Sequence, residues 1–489
     1  MTFFVLCAGE AGLLLLFLSL YRAATKPDAW GFLFSLPGIV CLGSLIVVVS
    51  SIMWTIHTFR KSDRSGRKRE LMALGMNVLM LIMTVPSLEG LTRLLSKDTA
   101  EGEAVLGIPL RPKQWSAFTQ AEKTVEKLTR KSSYLIHDPI LGWTVGPSRG
   151  SETSVEISSA EGLRSPHVGM SFMDPETRHG GSSQRPASVR VALIGDSMTF
   201  SYEVRCEESW AHVLEGYLQP DTQVLNFGVS AYGLNQVFLR YEKDVRLWRP
   251  QIVVIGISSE MIRRVNSLYP VLMNPEWTGF PFVRPRLVLK DETLSTINHP
   301  VPKPEDLADY ATIKDLPYLE LDDYFHPSEW KRGGMWGLLE HSYFFRFFNS
   351  LRPPSEADFD DKLQHGVQSS QLVLQHLIRK VRGEGSIPLL VYFPYKWELS
   401  LPGESAEGEN SLSVRVLRST GIKYYDMTAC LMDAGDSAAY TEGGHYSPRG
   451  NAHVARCLEP VLQAELGKVK REHIRPVKGS ERSDAQLPR

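Results

Sequence analysis

The chain has few cysteines, and their spacing matches no metal-binding pattern. Its 489 residues include only 5 Cys. No two of them form a Cys-x-x-Cys pair, which is typical of a zinc site, and so few cysteines exclude a disulfide-framed mini-domain. A nucleotide-binding loop is also lacking, because Gly443 and Gly444 precede no phosphate-cradling helix with a lysine. We therefore expect no metal and no cofactor.

An excess of charge of either sign is lacking as well. The 54 Lys plus Arg residues balance 55 Asp plus Glu residues, for a formal net charge of -1. Such a balance offers no general basic field for nucleic acid and no acidic excess typical of a disordered chain. Hydrophobic residues make up 43% of the chain, which is enough for a core, and the length suggests about three structural units.

Long apolar runs are concentrated in the first hundred residues. They cover residues 2–21, 30–58 and 71–88 and contain a single acidic or basic residue, Glu10. About 20 apolar residues are enough to cross the hydrocarbon core of a bilayer, so residues 1–95 are predicted to form three transmembrane helices. The first run could instead be a cleaved signal peptide, but it lacks a positive start and two further runs follow it.

Basic residues between the second and third runs predict the orientation of this membrane anchor. They are Arg60, Lys61, Arg64, Arg67, Lys68 and Arg69. Basic loops stay on the cytoplasmic side, which places the N-terminus in the cytoplasm and the chain after about residue 95 in the periplasm or outside the cell. The cluster could also contact nucleic acid, but its position between two spans favours the topological interpretation. We thus expect an integral protein of the cell or inner membrane.

Apolar runs after residue 186 alternate with amphipathic segments. Strands are predicted at 189–194, 223–227, 251–257, 387–393 and 422–425, with helices at 236–248 and 367–381. Nearly continuous apolar strands suit a parallel sheet that is covered on both faces, and the alternation predicts a doubly wound α/β sheet.

Four units follow from these patterns. They are the anchor at 1–95, a stalk and β-rich extension at 96–186, the α/β domain at 187–467, and a basic tail at 468–489 that is expected to be disordered. Residues 263–361 interrupt the α/β rhythm. A structureless loop of that length is improbable in a compact domain, so this interval is predicted to be a cap or a substrate-recognition insertion.

Two separated motifs carry the chemistry. Gly195-Asp196-Ser197 follows the first strand and opens a predicted helix, which places a serine at the carboxyl edge of the sheet, where α/β proteins bind ligands. Alone, the tripeptide also suits a tight turn in which Ser caps a helix. His445, in the stretch EGGHYSPRGN, could remove the serine proton, and Glu442 could orient the imidazole. A lone loop histidine is more often an ordinary surface residue.

Taken together, the motifs resemble the SGNH (GDSL-type) hydrolase superfamily, in its long membrane-anchored bacterial form. The blocks VALIGDSMTFSYEV, VLNFGVSAYGLNQ, IVVIGISSEMI and EGGHYSPRGN occur in the family order between residues 187 and 465. The resemblance implies a five-stranded flavodoxin-like sheet and ester chemistry. It also implies that Ser197 is the nucleophile and His445 the general base, with Glu442 where the family usually has an aspartate.

The resemblance also implies an oxyanion hole. One donor would be the backbone N–H of Ser197, and a second would come from Ala231 or, alternatively, Gly228. The family's third donor, an Asn side chain after the third strand, is missing here, where Ser258, Ser259 and Glu260 stand. Ser258 or Ser259 could substitute for it, the insertion could supply a donor, or the site could be slow, since loss of one donor typically lowers the rate about 10²–10³-fold.

Cys430 and Cys457 flank the histidine motif. In an oxidising location outside the cytoplasm they could form a disulfide, which would leave Cys206 free.

Several functions are compatible with these features. The leading hypothesis is an esterase that forms an acyl intermediate on Ser197 and removes O-acyl groups, O-acetyl above all, from a surface glycan or exopolysaccharide. The same site could serve an O-acyltransferase or a lipase. The missing Asn motivates a catalytically weak module that binds polysaccharide or organises a biosynthetic complex. Trp277, Phe280, Phe282, Trp330 and Trp336 could stack on sugars, although such residues more often form the core of an insertion.

Overall fold

The computed structural model describes most of the chain beyond residue 35. The described residues are 36–61, 63–99, 102–113, 134–151, 155–173, 189–218, 222–274, 280, 282–308, 310, 313–331, 334–351, 356–400, 411–435 and 438–474, with 5, 8, 9, 11 and 12 before them. The first predicted span, at residues 2–21, and the start of the second therefore lie largely outside the described residues.

Two long helices correspond to the second and third apolar runs. They are α1 (Leu36–Lys61) and α2 (Arg64–Leu95). In the described part of the chain α2 alone is both long and apolar enough to cross a membrane. The basic cluster differs from the expected loop, because Arg60 and Lys61 end α1 and the other four residues lie in the first turns of α2. Asp63 caps α2 by accepting a hydrogen bond from the Gly66 N–H at 2.7 Å.

The carboxyl end of α2 is attached to the predicted insertion. Glu89 accepts hydrogen bonds from the Ser342 hydroxyl at 2.8 Å and from the N–H groups of Tyr343 and Phe344 at 3.1 and 3.0 Å. These N–H groups begin a helix whose N-terminus favours a negative charge. Arg93 also lies over the Tyr343 ring at 4.5 Å, so the insertion is held beside the end of the apolar helix.

Short strands follow α2 and precede the α/β domain. They form a three-stranded antiparallel sheet, β1 (Ser96–Thr99), β2 (Gly102–Val105) and β3 (Ile108–Pro109), and a hairpin, β4 (Leu135–Asp138) and β5 (Gly142–Val145). Trp143 in β5 is fully buried, and its indole N–H donates to the Ser230 carbonyl at 3.1 Å. The β-rich extension is therefore packed onto the α/β domain rather than separated from it.

A five-stranded parallel sheet forms the centre of the α/β domain. Its strands are β6 (Val189–Ile194), β7 (Thr222–Asn226), β8 (Ile252–Ile257), β11 (Ile387–Tyr392) and β12 (Tyr424–Asp426). The spatial order is β7-β6-β8-β11-β12, and every adjacent pair is parallel. This is the order of flavodoxin-like sheets, so the predicted fold is confirmed for this domain. The predicted strands differ from the observed ones by two residues at most.

Helices cover both faces of this sheet. They are α3 (Ser197–Phe200), α4 (Trp210–Tyr217), α5 (Leu234–Lys243), α6 (Ser259–Arg264), α11 (Glu356–Gly383), α12 (Leu412–Arg418), α13 (Thr428–Asp433) and α14 (Pro448–Ile474). Ala192 and Ile194 of β6 pack with residues of α5, α11 and α12, whereas Val191 and Leu193 pack with residues of α4, α13 and α14. Side chains that alternate along this mostly apolar strand thus contribute to two cores, one on each face of the sheet.

The insertion is built around a small core of its own. Its elements are α7 (Pro270–Met273), the hairpin β9 (Leu287–Lys290) and β10 (Thr293–Thr296), α8 (Pro304–Ala308), α9 (Gly337–His341) and α10 (Tyr343–Ser350). Short 3₁₀ turns occupy Ile313–Asp315, Leu319–Leu321, Pro327–Glu329 and Gly334–Trp336. Tyr269, Ile313 and Trp330 are buried together. The predicted end of the insertion at residue 361 is too late, because α11 begins at Glu356.

Two further expectations concern the end of the chain. The disulfide between Cys430 and Cys457 is present and joins α13 to α14, while Cys206 is free and buried. The boundary predicted at Lys468 for a disordered tail comes too early, because α14 continues to Ile474. Residues 475–489 lie outside the described residues.

Candidate active site

Ser197 lies at the carboxyl edge of the sheet, on the first turn after β6. Asp196 caps this turn by accepting a hydrogen bond from the Met198 N–H at 3.0 Å. Gly195 leaves no room for a side chain, since a Cβ there would be 2.1 Å from the Thr199 Oγ1 and 3.0 Å from the Gly256 carbonyl oxygen. The glycine of the motif is thus required by close packing between β6, β8 and the turn that presents Ser197.

His445 meets Ser197 from the loop before α14. Its Nε2 is 3.0 Å from the Ser197 Oγ. The loop is fixed on both sides of the imidazole, because the Thr441 N–H donates to the His445 carbonyl at 2.8 Å and the buried Tyr446 hydroxyl donates to the Pro394 carbonyl at 2.9 Å. The structure therefore brings together the serine and the histidine that the sequence singles out.

The acid predicted to orient His445 is a different residue. Glu442 is exposed, and no contact with the imidazole is found for it in the described structure. The His445 Nδ1 instead faces Glu203, whose Oε2 lies at 3.4 Å, within ion-pair range but long for a hydrogen bond. The three-residue spacing therefore misidentified the carboxylate, because the loop turns Glu442 towards solvent.

Glu203 reaches His445 through an unusual backbone conformation. Ser201 and Glu203 have φ values of 60° and 72°, in the left-handed region that non-glycine residues rarely adopt. Thr441 donates a hydrogen bond to the Glu203 Oε2. Gly443 makes room for the carboxylate, since a Cβ at that position would lie 1.8 Å from the Glu203 Oε1. Backbone strain of this kind, here in the turn that follows Ser197, is common at functional sites.

Burial and charge act on His445 in opposite directions. Burial lowers the pKa of the imidazole below its ordinary value of 6.5, while the negative charge of Glu203 opposes the shift. Tyr202 covers one side of the imidazole, with ring centroids 5.1 Å apart. A lowered pKa keeps the imidazole neutral at neutral pH, the form that can accept a proton from serine.

Three of the predicted oxyanion donors are engaged elsewhere. The Gly228 N–H donates to the Asn226 Oδ1 at 2.9 Å. The Ser258 hydroxyl donates to the Asp196 Oδ2 at 2.6 Å, and the Ser259 hydroxyl donates to Glu398 in a buried polar network. The Gly228 N–H and the two hydroxyls are therefore engaged within the protein and are not free to stabilise an oxyanion. This corrects the roles predicted for Gly228, Ser258 and Ser259.

Two backbone donors remain for a developing negative charge. Ser197 and Ala231 both line the cavity described below, and in the described part of the chain neither backbone N–H donates a hydrogen bond. Ala231 has a φ of 65°, again in the left-handed region. Paired N–H groups beside a serine hydroxyl are the arrangement that stabilises a tetrahedral oxyanion.

Tyr395 and Arg264 are site residues that the sequence motifs do not reveal. The Tyr395 hydroxyl lies 3.4 Å from the Asp196 Oδ2, and an Arg264 guanidinium nitrogen lies 3.5 Å from the same oxygen. Asp196 thus connects the turn that presents Ser197 to residues from two distant segments. Nothing in the sequence indicates that Arg264 is buried, because an arginine is usually a surface residue.

An open cavity of about 640 Å³ surrounds the serine and histidine. Its volume lies within the usual range for sites that bind small molecules. Its walls come from the extension, the sheet edge and the histidine loop: Tyr134, Leu135, Ser151, Glu156, Ser197, Tyr202, Ser230, Ala231, Arg264, Phe280, Tyr395 and His445. Among the described residues, no group of three or more His, Cys, Asp or Glu side chains could hold a metal ion.

A serine hydroxyl in contact with a histidine, at the carboxyl edge of a flavodoxin-like sheet, is the arrangement of an α/β serine hydrolase. Several solved structures are similar to this chain. One is described as a lipolytic protein of the G-D-S-L family from Desulfitobacterium hafniense, with 17% identity, a TM-score of 0.28, and coverage of 56% of this chain and 99% of that one.

Two further structures are similar over a comparable share of the chain. The lipase/acylhydrolase from Enterococcus faecalis has 11% identity and a TM-score of 0.30, and covers 56% of this chain and 96% of its own. The acetylxylan esterase from Geobacillus stearothermophilus has 14% identity and a TM-score of 0.31, and covers 58% and 95%. No family model and no curated protein matches the chain. The geometry of the site itself therefore remains the basis for its chemistry.

Proposed function

We propose that the protein is a membrane-anchored serine esterase that removes O-acyl groups, O-acetyl above all, from a glycan on the outer side of the membrane. The observation that carries the chemistry is the 3.0 Å contact between the His445 Nε2 and the Ser197 Oγ inside an open cavity. The placement outside the cytoplasm is supported by the basic residues at the end of α1 and the start of α2 and by the Cys430–Cys457 disulfide.

The reaction begins with attack of the Ser197 Oγ on the ester carbonyl carbon while its proton moves to the His445 Nε2. The carbonyl oxygen becomes an oxyanion, which the N–H groups of Ser197 and Ala231 stabilise. Collapse of this intermediate breaks the bond to the alcohol, and the alcohol oxygen takes the proton from His445. The acyl group then remains as an ester on Ser197.

Water completes the cycle by the same route in reverse. It loses a proton to His445 as its oxygen attacks the acyl carbonyl, and collapse returns that proton to the Ser197 Oγ. The products are the free alcohol and a carboxylic acid. If a sugar hydroxyl takes the place of water, the same acyl intermediate gives transfer instead of hydrolysis, so the ratio of acid to transferred ester measures which reaction occurs.

Replacement of Ser197 tests the proposal. Ser197→Ala should lower the kcat for p-nitrophenyl acetate at least about 10³-fold, because the variant lacks the hydroxyl on which the acyl intermediate forms. His445→Ala should cause a similar loss, since the two residues act as a unit. Release of acetate from acetylated xylan should depend on Ser197 in the same way.

Ser419→Ala is the matched control, because Ser419 is exposed and its hydroxyl bonds only within the turn after α12. Full activity in this variant and near-complete loss in Ser197→Ala are expected. Turnover that survives in Ser197→Ala at the wild-type rate would exclude an acyl-serine mechanism.

A further inference from the structure

The β-rich extension forms one wall of the cavity around Ser197. Tyr134, Leu135, Ser151 and Glu156 all line this cavity, although none belongs to the α/β domain. Two hydrogen bonds between Ser151 and Glu156 hold this wall in shape. The Glu156 N–H donates to the Ser151 Oγ at 3.2 Å, and the Ser151 N–H donates to the Glu156 carbonyl at 2.8 Å.

Glu156 adds a carboxylate to this wall. The residue as a whole is only 7% exposed. Among the described residues no hydrogen bond or ion pair to its carboxylate is found, whereas the enclosed acids Asp322 and Glu398 accept several hydrogen bonds. The Glu156 oxygens are instead open to the cavity, where they can accept hydrogen bonds from a bound group.

Glu156 lies near the reacting groups, since it lines the same cavity as Ser197 and His445. After burial itself, the charge of Glu156 is the largest factor that raises the pKa of Tyr202, and the Tyr202 ring packs on His445 at 5.1 Å between centroids. Phe280 and Tyr395 add aromatic surface to the same cavity. A group bound to Glu156 would thus lie beside the ester rather than at a separate site.

The chemistry of a carboxylate selects the ligand. An ionised carboxylate can only accept hydrogen bonds, and it repels phosphate and carboxylate groups. An acyl chain has no hydrogen-bond donor to offer it. A polyhydroxylated alcohol has donors, and the faces of sugar rings pack on aromatic side chains.

We propose that Glu156 binds the alcohol part of the ester by accepting hydrogen bonds from sugar hydroxyl groups, so that the extension acts as the sugar-recognition wall of the site. This inference rests on the proposed esterase function and gives it a specificity-determining residue. It also gives the segment ahead of the α/β domain a direct part in choosing the substrate.

The test compares two acetates of similar shape, 6-O-acetylglucose and cyclohexylmethyl acetate, of which only the first has hydroxyl groups on its ring. The wild-type protein should have the higher kcat/KM for the sugar acetate. Glu156→Gln and Glu156→Leu should lower the ratio of the two kcat/KM values about ten-fold or more, mainly through KM, because a hydrogen bond to a charged acceptor is lost. Glu207→Gln, at an exposed glutamate, should keep the wild-type ratio.

Acetylcholine serves as a third substrate, because a cation would also suit a buried carboxylate. If the variants lose preference for acetylcholine and not for the sugar acetate, the assignment to hydroxyl groups is wrong. An unchanged ratio in Glu156→Gln and Glu156→Leu, with melting temperatures like that of the wild type, would overturn the inference alone. Glu156→Asp, which keeps the charge but shortens its reach, should give an intermediate ratio. If Ser197-dependent hydrolysis of cyclohexylmethyl acetate is absent in the wild type, the esterase function itself fails.

Discussion

Glu203 shows how a single residue can complete a site from an unexpected part of the chain. It lies six positions after Ser197, on a turn with left-handed residues, and yet its carboxylate reaches the histidine loop. Thr441 and Gly443 of that loop bind it and make room for it. One short segment thus carries both the serine and the acid, and the loop before α14 contributes the imidazole between them.

Replacement of Glu203 should affect catalysis through the imidazole. In Glu203→Gln the amide can donate a hydrogen bond to the His445 Nδ1, which favours the tautomer with a proton on Nε2. That tautomer cannot accept the serine proton, so kcat should fall at least about 10²-fold. Loss of the negative charge also removes a factor that raises the pKa of His445, so the acid limb of the kcat/KM profile should move to lower pH.

Glu442→Gln is the matched control for this prediction, because Glu442 is exposed three residues before the histidine. Its kcat and pH profile should equal those of the wild type. Glu203→Asp should recover part of the activity. If Glu442→Gln loses activity and shifts the pH profile while Glu203→Gln does not, Glu442 orients the His445 imidazole, as the three-residue spacing predicts.

At the scale of elements, the position of His445 depends on how the histidine loop is fastened. α13 precedes the loop and α14 follows it, and the Cys430–Cys457 disulfide joins the two helices across 27 residues of sequence. The Asn451 side chain in the first turn of α14 accepts a hydrogen bond from the Trp210 N–H at 3.1 Å and donates one to the Tyr446 carbonyl at 2.8 Å. The loop is thereby tied to α4 as well.

Loss of the disulfide should destabilise the fold. For a closed loop of this length, the chain-entropy model gives a decrease of about 3–4 kcal/mol in the free energy of unfolding for Cys430→Ser with Cys457→Ser. Denaturant unfolding of the purified protein measures it. Dithiothreitol should lower the stability of the wild type and leave the double variant unchanged. If the reductant lowers the stability of both proteins equally, the effect does not come from this pair.

Across the whole molecule, the predictable features are those encoded by local patterns. The apolar runs of β6 and β8 are buried on both faces, which is why their sequences predicted a covered parallel sheet. Ser197 and His445 were predictable because each belongs to a recognisable motif. Glu203, Tyr395 and Glu156 were not, because each enters the site through contacts between segments far apart in the sequence.

Aromatic residues of the insertion illustrate the same limit. Phe282 is buried and stacks on Trp143, Trp330 belongs to the insertion's own core, and Trp336 packs on Phe345. Phe280 lines the cavity, and Trp277 lies outside the described residues. Composition alone cannot distinguish a stacking surface from a core, because both are rich in aromatic side chains.

The membrane orientation leads to a prediction for the whole chain. Ser65→Cys places a thiol among the basic residues in the first turn of α2, and Leu247→Cys places one on an exposed position of the α/β domain. In cells or spheroplasts with an intact cell membrane, an impermeant maleimide should label Leu247→Cys directly. It should label Ser65→Cys only after the membrane is permeabilised, since basic segments remain cytoplasmic.

The wild-type protein sets the background of this experiment, and Cys206 should add little to it. Cys206 is buried, and burial raises the pKa of its thiol to about 12, so little thiolate forms at neutral pH. Cys430 and Cys457 are protected by their disulfide. Direct labelling of Ser65→Cys with protection of Leu247→Cys would place the candidate site in the cytoplasm, where that disulfide would be hard to maintain and a surface glycan could not be reached. The orientation therefore decides both the stability of the histidine loop and the class of substrate that can enter the cavity.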